Sequence, residues 1–182
     1  MRILIIIDLQ KDFIDGTLGT KEAQDIIEGV VKRITDSEKE LILFTQDTHG
    51  EDYLSTLEGQ NLPVIHCQEN TPGWEIEPAV LKAWKNNKNT IISEQGNIFK
   101  KSTFGSIDLV NFLKEKESRI KSIELLGICT DICVISNAVL IKNFLPDTPV
   151  FVNENLCAGT DKKNHKEALN IMEMIHVKRI AS

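Results

Sequence analysis

The sequence predicts a doubly wound α/β fold, on three observations. Short apolar runs of strand length recur along the chain, charged helix-permissive stretches separate most of them, and two long polar connections interrupt the alternation. Continuous apolar strands alternating with helices are the pattern of a parallel sheet covered on both faces, because such strands meet water on neither side.

The first run, residues 3–7, is Ile-Leu-Ile-Ile-Ile and stops at Asp8. It is too short for a secretory core or a membrane span and suits a buried strand. Residues 21–35 read as helix and 40–44 as the second strand. A long connection rich in turn formers covers 46–73, then 78–85 reads as helix and 90–92 as the third strand. The second long connection is 94–105, ahead of a helix at 107–116 and a fourth strand at 123–126. Residues 131–145 read as a buried helix, 150–152 as the fifth strand, 162–175 as a helix and 177–180 as a last strand. Long loops in a compact α/β domain carry function, and ligands collect at the carboxyl ends of the strands. No internal repeat or low-complexity tract is present, and the length suits one domain over residues 1–182.

Charge narrows the partners. The net charge of -6 is spread along the chain, which favours a small-molecule partner over nucleic acid or an anionic membrane. Cys67, Cys129, Cys133 and Cys157 lack the dense spacing of a disulfide scaffold, so reduced thiols and a cytoplasmic location are expected.

Residues 127–136, Gly-Ile-Cys-Thr-Asp-Ile-Cys-Val-Ile-Ser, read as strand end, tight turn and buried helix, with Cys133 in the first helical turn. Unpaired N–H groups and the positive end of the helix dipole favour a thiolate there, the form that attacks carbonyl carbon. Asp8, at the end of the first strand, either caps the next turn or takes a proton from a thiol and returns it to a leaving group. Lys101, in Lys-Lys-Ser-Thr-Phe-Gly-Ser, either is solvated or points inward, where its charge would favour a thiolate and an ionised aspartate. Asp47, His49 and His66 fall in the first long loop, and three N/O donors suit a divalent metal of the zinc, manganese or iron kind. Glu58 is a candidate fourth ligand, with Glu51 and Asp52 as rivals; the alternative is a set of solvated loop carboxylates. Cys67, Cys129 and Cys157 read as buried structural thiols, and His165 and His176 as surface residues. Phe13 is either a core aromatic or the wall of a site for a flat ligand.

Taken together, the opening Ile7-Asp8-Leu9-Gln10-Lys11-Asp12-Phe13, the Lys101 to Phe104 loop and the turn from Gly127 to Val134 resemble the isochorismatase-like cysteine hydrolases, and within them the nicotinamidases. The resemblance runs from Arg2 to about Gly159. It implies a six-stranded parallel sheet with helices on both faces, a Rossmann-like three-layer fold often assembled into homo-oligomers. It implies Asp8, Lys101 and Cys133 as a catalytic triad that hydrolyses an amide through a thioester on Cys133. Backbone N–H groups of Cys129 and Cys133 would form the oxyanion hole, in a turn with a non-proline cis peptide at Ile128–Cys129. The resemblance also implies Asp47, His49 and His66 as ligands of one divalent ion, with zinc the leading candidate, that holds a pyridine nitrogen. Ser55 stands where many members have a further histidine, Glu58 matches the glutamate of others, and the tryptophan common before the last histidine is replaced near Leu62-Pro63. The expected activity is conversion of nicotinamide to nicotinate and ammonia; the alternative is another small amide or carbamoyl compound. Joint presence of Asp8, Lys101 and Cys133 argues against a non-catalytic scaffold.

Overall fold

The computed structural model describes residues 1–181. Six strands form one sheet: β1 (Arg2–Ile7), β2 (Glu40–Asp47), β3 (Ile98–Lys101), β4 (Ser122–Ile128), β5 (Val150–Ala158) and β6 (Val177–Ile180). Their order is β3-β2-β1-β4-β5-β6, and every pairing is parallel. The chain starts at the centre, winds out to β3, returns to β4 and winds out to β6. The winding therefore reverses between β1 and β4, which is where ligands bind in open α/β sheets. The Ile3–Ile7 stretch is buried, as a strand covered on both faces requires.

Eight α-helices accompany these strands among the described residues: α1 (Lys11–Ile14), α2 (Lys21–Asp25), α3 (Ile27–Thr35), α4 (Leu57–Asn61), α5 (Pro78–Asn86), α6 (Ile107–Lys114), α7 (Ile135–Phe144) and α8 (Lys162–Met174). The expected helix at 21–35 is split at Ile26 into α2 and α3. The expected helix at 131–145 begins with a π-helical turn, Thr130–Val134, and continues as α7.

The third strand is not where its apolar residues suggest. Ile91 meets Leu41 in a single bridge, and Ile92 is 75% exposed. The chain then leaves the sheet in a small turn. The Asn97 side chain accepts the Ser93 N–H at 3.0 Å and donates to the Ile42 carbonyl at 2.6 Å. Pairing resumes at Ile98 opposite Phe44, so seven steps of incoming chain (91 to 98) span three of β2 (41 to 44). Lys101 consequently ends a strand, in register with Asp47, and is not in a loop.

Two backbone positions bring β1 and β4 to a common edge. Gly127 has φ 127°, and a Cβ there would lie 2.1 Å from the Ile7 carbonyl oxygen, so no side chain fits at that position. Asp8 has φ 46°, in the left-handed region that aspartate tolerates better than most residues.

Candidate active site

Asp8, Lys101 and Cys133 come from three separate elements and meet in the interior. Asp8 follows β1 and is 0% exposed. Its Oδ1 accepts the Thr45 hydroxyl at 2.6 Å, and Thr45 Oγ1 accepts the Asp8 N–H at 3.2 Å. Lys101 Nζ lies 2.6 Å from Asp8 Oδ2, 3.1 Å from Asp47 Oδ1 and 3.6 Å from Cys133 Sγ. At 2.6 Å the Lys101 ammonium and Asp8 Oδ2 form a charge-assisted contact in the interior. The Ile128–Cys129 peptide ahead of Cys133 is cis.

The electrostatics correct one expectation. Burial pushes the Cys133 thiol well above its ordinary value, Asp8 and Asp47 push it further, and Lys101 opposes them without winning. Cys133 therefore rests as a thiol; burial, with Asp8 and Asp47 adding to it, outweighs the local effect of a helix start. Burial likewise raises Asp8 above the usual carboxylate range, with Lys101 opposing and Asp47 adding to the rise. Burial acts to lower Lys101, but Asp8, Cys133 and Asp47 raise it, so it remains an ammonium.

Asp47, His49 and His66 form a second cluster beside the first. Their ligand-type atoms all lie within 4.8 Å of one another, and all three residues are buried. His49 Nε2 is 2.9 Å and His66 Nε2 3.7 Å from Asp47 Oδ2. His66 Nδ1 is 2.8 Å from the Val64 carbonyl, which can only accept. That bond puts the ring proton on Nδ1 and leaves Nε2 with a free lone pair, the state a metal ligand needs. Gln10 fixes the carboxylate's backbone from both sides, accepting the Asp47 N–H at 2.7 Å and donating to the Asp47 carbonyl at 2.8 Å. The Tyr53 ring packs against both imidazoles. Burial acts to raise Asp47, but the His49 hydrogen bond and the Lys101 charge hold it low; burial acts to lower His49, and Asp47 raises it. A buried carboxylate faced by two imidazole nitrogens fits a divalent cation of the zinc class.

Glu58, in the first turn of α4, has Oε1 3.8 Å from His49 Nε2 and a side chain 24% exposed. Its rivals Glu51 and Asp52 are exposed on the preceding loop.

The two clusters open into one cavity of about 320 Å³. Cys129 and Cys133 line it, as do Asp47, His66 and Glu58, with Phe13, Leu18, Leu62, Phe104 and Ile132 supplying apolar wall. The Phe13 ring centre is 5.5 Å from that of His66. Cys67 and Cys157 are buried away from this lining, as expected. His176 is exposed, whereas His165 is half-buried and pairs through Nδ1 with the Thr130 hydroxyl at 2.8 Å, which the surface assignment missed. Thr45, Gln10, Tyr53 and Asn137 hold the site together without any assigned role in the sequence reading. Only Asn137 carries a local signal, an amide inside an apolar helix.

The isochorismatase domain model matches residues 2–181. The chain belongs to the isochorismatase family. A family relative from Bacillus subtilis (strain 168), "Uncharacterized isochorismatase family protein PncA", is 26% identical over 179 residues, covering 93% of this chain and 92% of its own. A solved pyrazinamidase/nicotinamidase from Streptococcus mutans UA159 is 26% identical with a TM-score of 0.80, covering 99% of this chain and 100% of that one. The pyrazinamidase of Pyrococcus horikoshii, solved in complex with zinc, shares the fold at 24% identity and a TM-score of 0.79, covering 100% and 99% of the two chains. The isochorismatase-family hydrolase described here has, among its described residues, no helix long and apolar enough to cross a membrane.

Proposed function

We propose that this hydrolase is a cysteine-dependent amidohydrolase that converts nicotinamide to nicotinate and ammonia. One observation carries the reading: Asp8, Lys101 and Cys133 converge beside the Asp47, His49 and His66 donor set, with both clusters on one cavity. The first supplies acyl-transfer chemistry and the second a fixed point for a ring nitrogen.

In this mechanism Asp8, whose carboxylate meets the Cys133 thiol, takes the Cys133 proton as sulfur bonds to the amide carbon. Lys101 opposes the burial that raises Asp8 and steadies the developing thiolate. Backbone N–H groups of Cys129 and Cys133 hold the oxyanion, and donors fixed in advance are worth roughly 3 kcal/mol each. Asp8 then returns the proton to nitrogen, the C–N bond breaks and ammonia leaves. Water attacks the thioester as Asp8 removes its proton, and the C–S bond breaks to give carboxylic acid and free thiol. Asp47, His49 and His66, with Glu58 completing the protein ligands, would hold a divalent ion, zinc first, that supplies a Lewis-acidic partner for the pyridine nitrogen. Phe13 stacks on the ring.

The size of the cavity supports the substrate class. About 320 Å³ is at the small end for ligand pockets, which suits a single ring.

The test is ammonia release by the metal-loaded enzyme from nicotinamide and from benzamide, which lacks the ring nitrogen. Nicotinamide should be turned over on the order of 100-fold faster, since misplacement beside a nucleophile carries a penalty of that size. Equal rates would remove the metal from substrate positioning. No turnover of either would move the assignment to another small amide.

A further inference from the structure

Lys101 and Cys133 act together but are not neighbours in the sheet. Two strands, β2 and β1, separate β3 from β4, so no ladder sets the 3.6 Å between Nζ and Sγ. Asp8 and Asp47 hold the ammonium of Lys101, and the segments that follow the two strands bring the nucleophile turn to it. Asn137 joins those segments. It lies on α7 one turn beyond Cys133 and is 0% exposed. Its Oδ1 accepts the Ser106 N–H at 3.0 Å, and its Nδ2 donates to the Cys133 carbonyl at 2.8 Å and to the Phe104 carbonyl at 3.2 Å. The amide orientation follows from the partners, since an N–H can only donate and a carbonyl can only accept. Both amide hydrogens are used. Ser106 in turn caps α6 by accepting the Leu109 N–H, and Phe104 lines the cavity.

We infer that Asn137 is a positioning residue that ties the segment behind Lys101, the Phe104 wall and the Cys133 backbone into one rigid unit. The inference rests on the proposed roles of Cys133 and Lys101. Its loss leaves an N–H and two carbonyls without their side-chain partner and frees the Lys101 side of the site to shift against the nucleophile.

The experiment is steady-state ammonia release from nicotinamide by the metal-loaded enzyme and by Asn137→Ala, Asn137→Asp and Asn137→Ser, with Ile141→Ala as a comparator. Ile141 is buried on the same helix and does not line the cavity, so its truncation loosens α7 without touching the tether. Asn137→Asp keeps the acceptor for Ser106 but offers no donor to either carbonyl. Both it and Asn137→Ala should lose at least about tenfold in kcat with a smaller change in KM. Ile141→Ala, with an equal or larger fall in Tm, should keep kcat within about twofold if activity does not simply follow stability. If Asn137→Ala does not fold, Asn137→Ser decides, because serine can still bond the carbonyl four residues back but cannot also hold the 104–106 segment. Retained kcat in the folded Asn137 variants would overturn the inference, as would a loss in Ile141→Ala proportional to its Tm. Cys133→Ala separates the two levels. Its inactivity alongside active Asn137 variants removes only the tether, whereas its activity overturns the reading of the site as well.

Discussion

Two clusters, each with a cation set between two carboxylates, lie at opposite ends of the sheet, and at the amino end Arg2 adds a second cation 3.4 Å from Glu40 Oε1. At the amino ends of the strands, Arg33 donates to both Glu40 oxygens and both Glu124 oxygens, with Ser37 and Asn153 adding further bonds. At the carboxyl ends, Lys101 stands between Asp8 and Asp47. The guanidinium is a planar fork that meets two carboxylates bidentately, and an ammonium is a point charge. The consequences diverge. Burial acts to raise Glu40, yet Arg33 holds it below the usual carboxylate range. Asp8 stays above that range because burial outweighs Lys101. One cluster is saturated and structural; the other retains proton affinity, as the base proposed for the amide hydrolysis requires.

The largest effect that could break this contrast is on turnover. Asp8→Asn keeps the shape and removes the base, so ammonia release should fall by about 10²–10⁴-fold with the circular dichroism spectrum unchanged. Arg33→Met should leave turnover within about twofold. Urea denaturation should show it destabilised on the order of 3 kcal/mol, a figure reduced by partial solvent exposure, because Glu124 loses its cation and Glu40 keeps only the exposed Arg2. A stable but inactive Arg33→Met would put chemistry at the wrong end of the sheet.

The pH dependences should differ in sign. Asp8 has a raised value, so kcat/KM should fall on acidification at a pH above the ordinary carboxylate range, while the fold is still intact. Its ionisation costs stability, over a window from the unfolded value up to the raised folded one. Glu40 has a lowered value, so its contribution to stability is full above the unfolded value and is lost as pH falls through the folded one. Parallel measurement of activity and circular dichroism checks both. Coincident loss of the two signals would contradict the separation.

Part of this arrangement is legible along the chain, because a strand followed at once by Asp8, a turn containing Cys133 and an Asp-x-His pair are local patterns. What escaped is non-local. β3 is four residues at an edge, paired on one side only, so it has no continuous apolar signature, and the apolar residues at 90–92 imitate one. The resting state of Cys133 depends first on burial and then on Asp8 and Asp47, which arrive from the end of β1 and from β2. Thr45 reads as one more strand residue until Asp8 is placed against it.

Smaller effects sharpen the contrast within the carboxyl-end site. Glu58→Ala should weaken metal retention about tenfold, while Glu51→Ala and Asp52→Ala should not; elemental analysis after dialysis reads this directly, and equal metal content in all three would remove Glu58 from the ligand set. Cys129→Ala should keep most of the activity, since burial, with Asp131 adding, pushes that thiol up to about 12 and only its backbone N–H is assigned a role. A loss as deep as that of Asp8→Asn would make the Cys129 side chain part of the chemistry.

The most direct measurement is ammonia release from nicotinamide by the metal-loaded wild type and by Cys133→Ala at matched circular dichroism and metal content. The account predicts turnover by the wild type and none detectable from Cys133→Ala, because Cys133 is the cavity thiol that meets Lys101 and Asp8. Turnover by Cys133→Ala within about tenfold of the wild type would contradict it, since losing a covalent nucleophile costs far more than that.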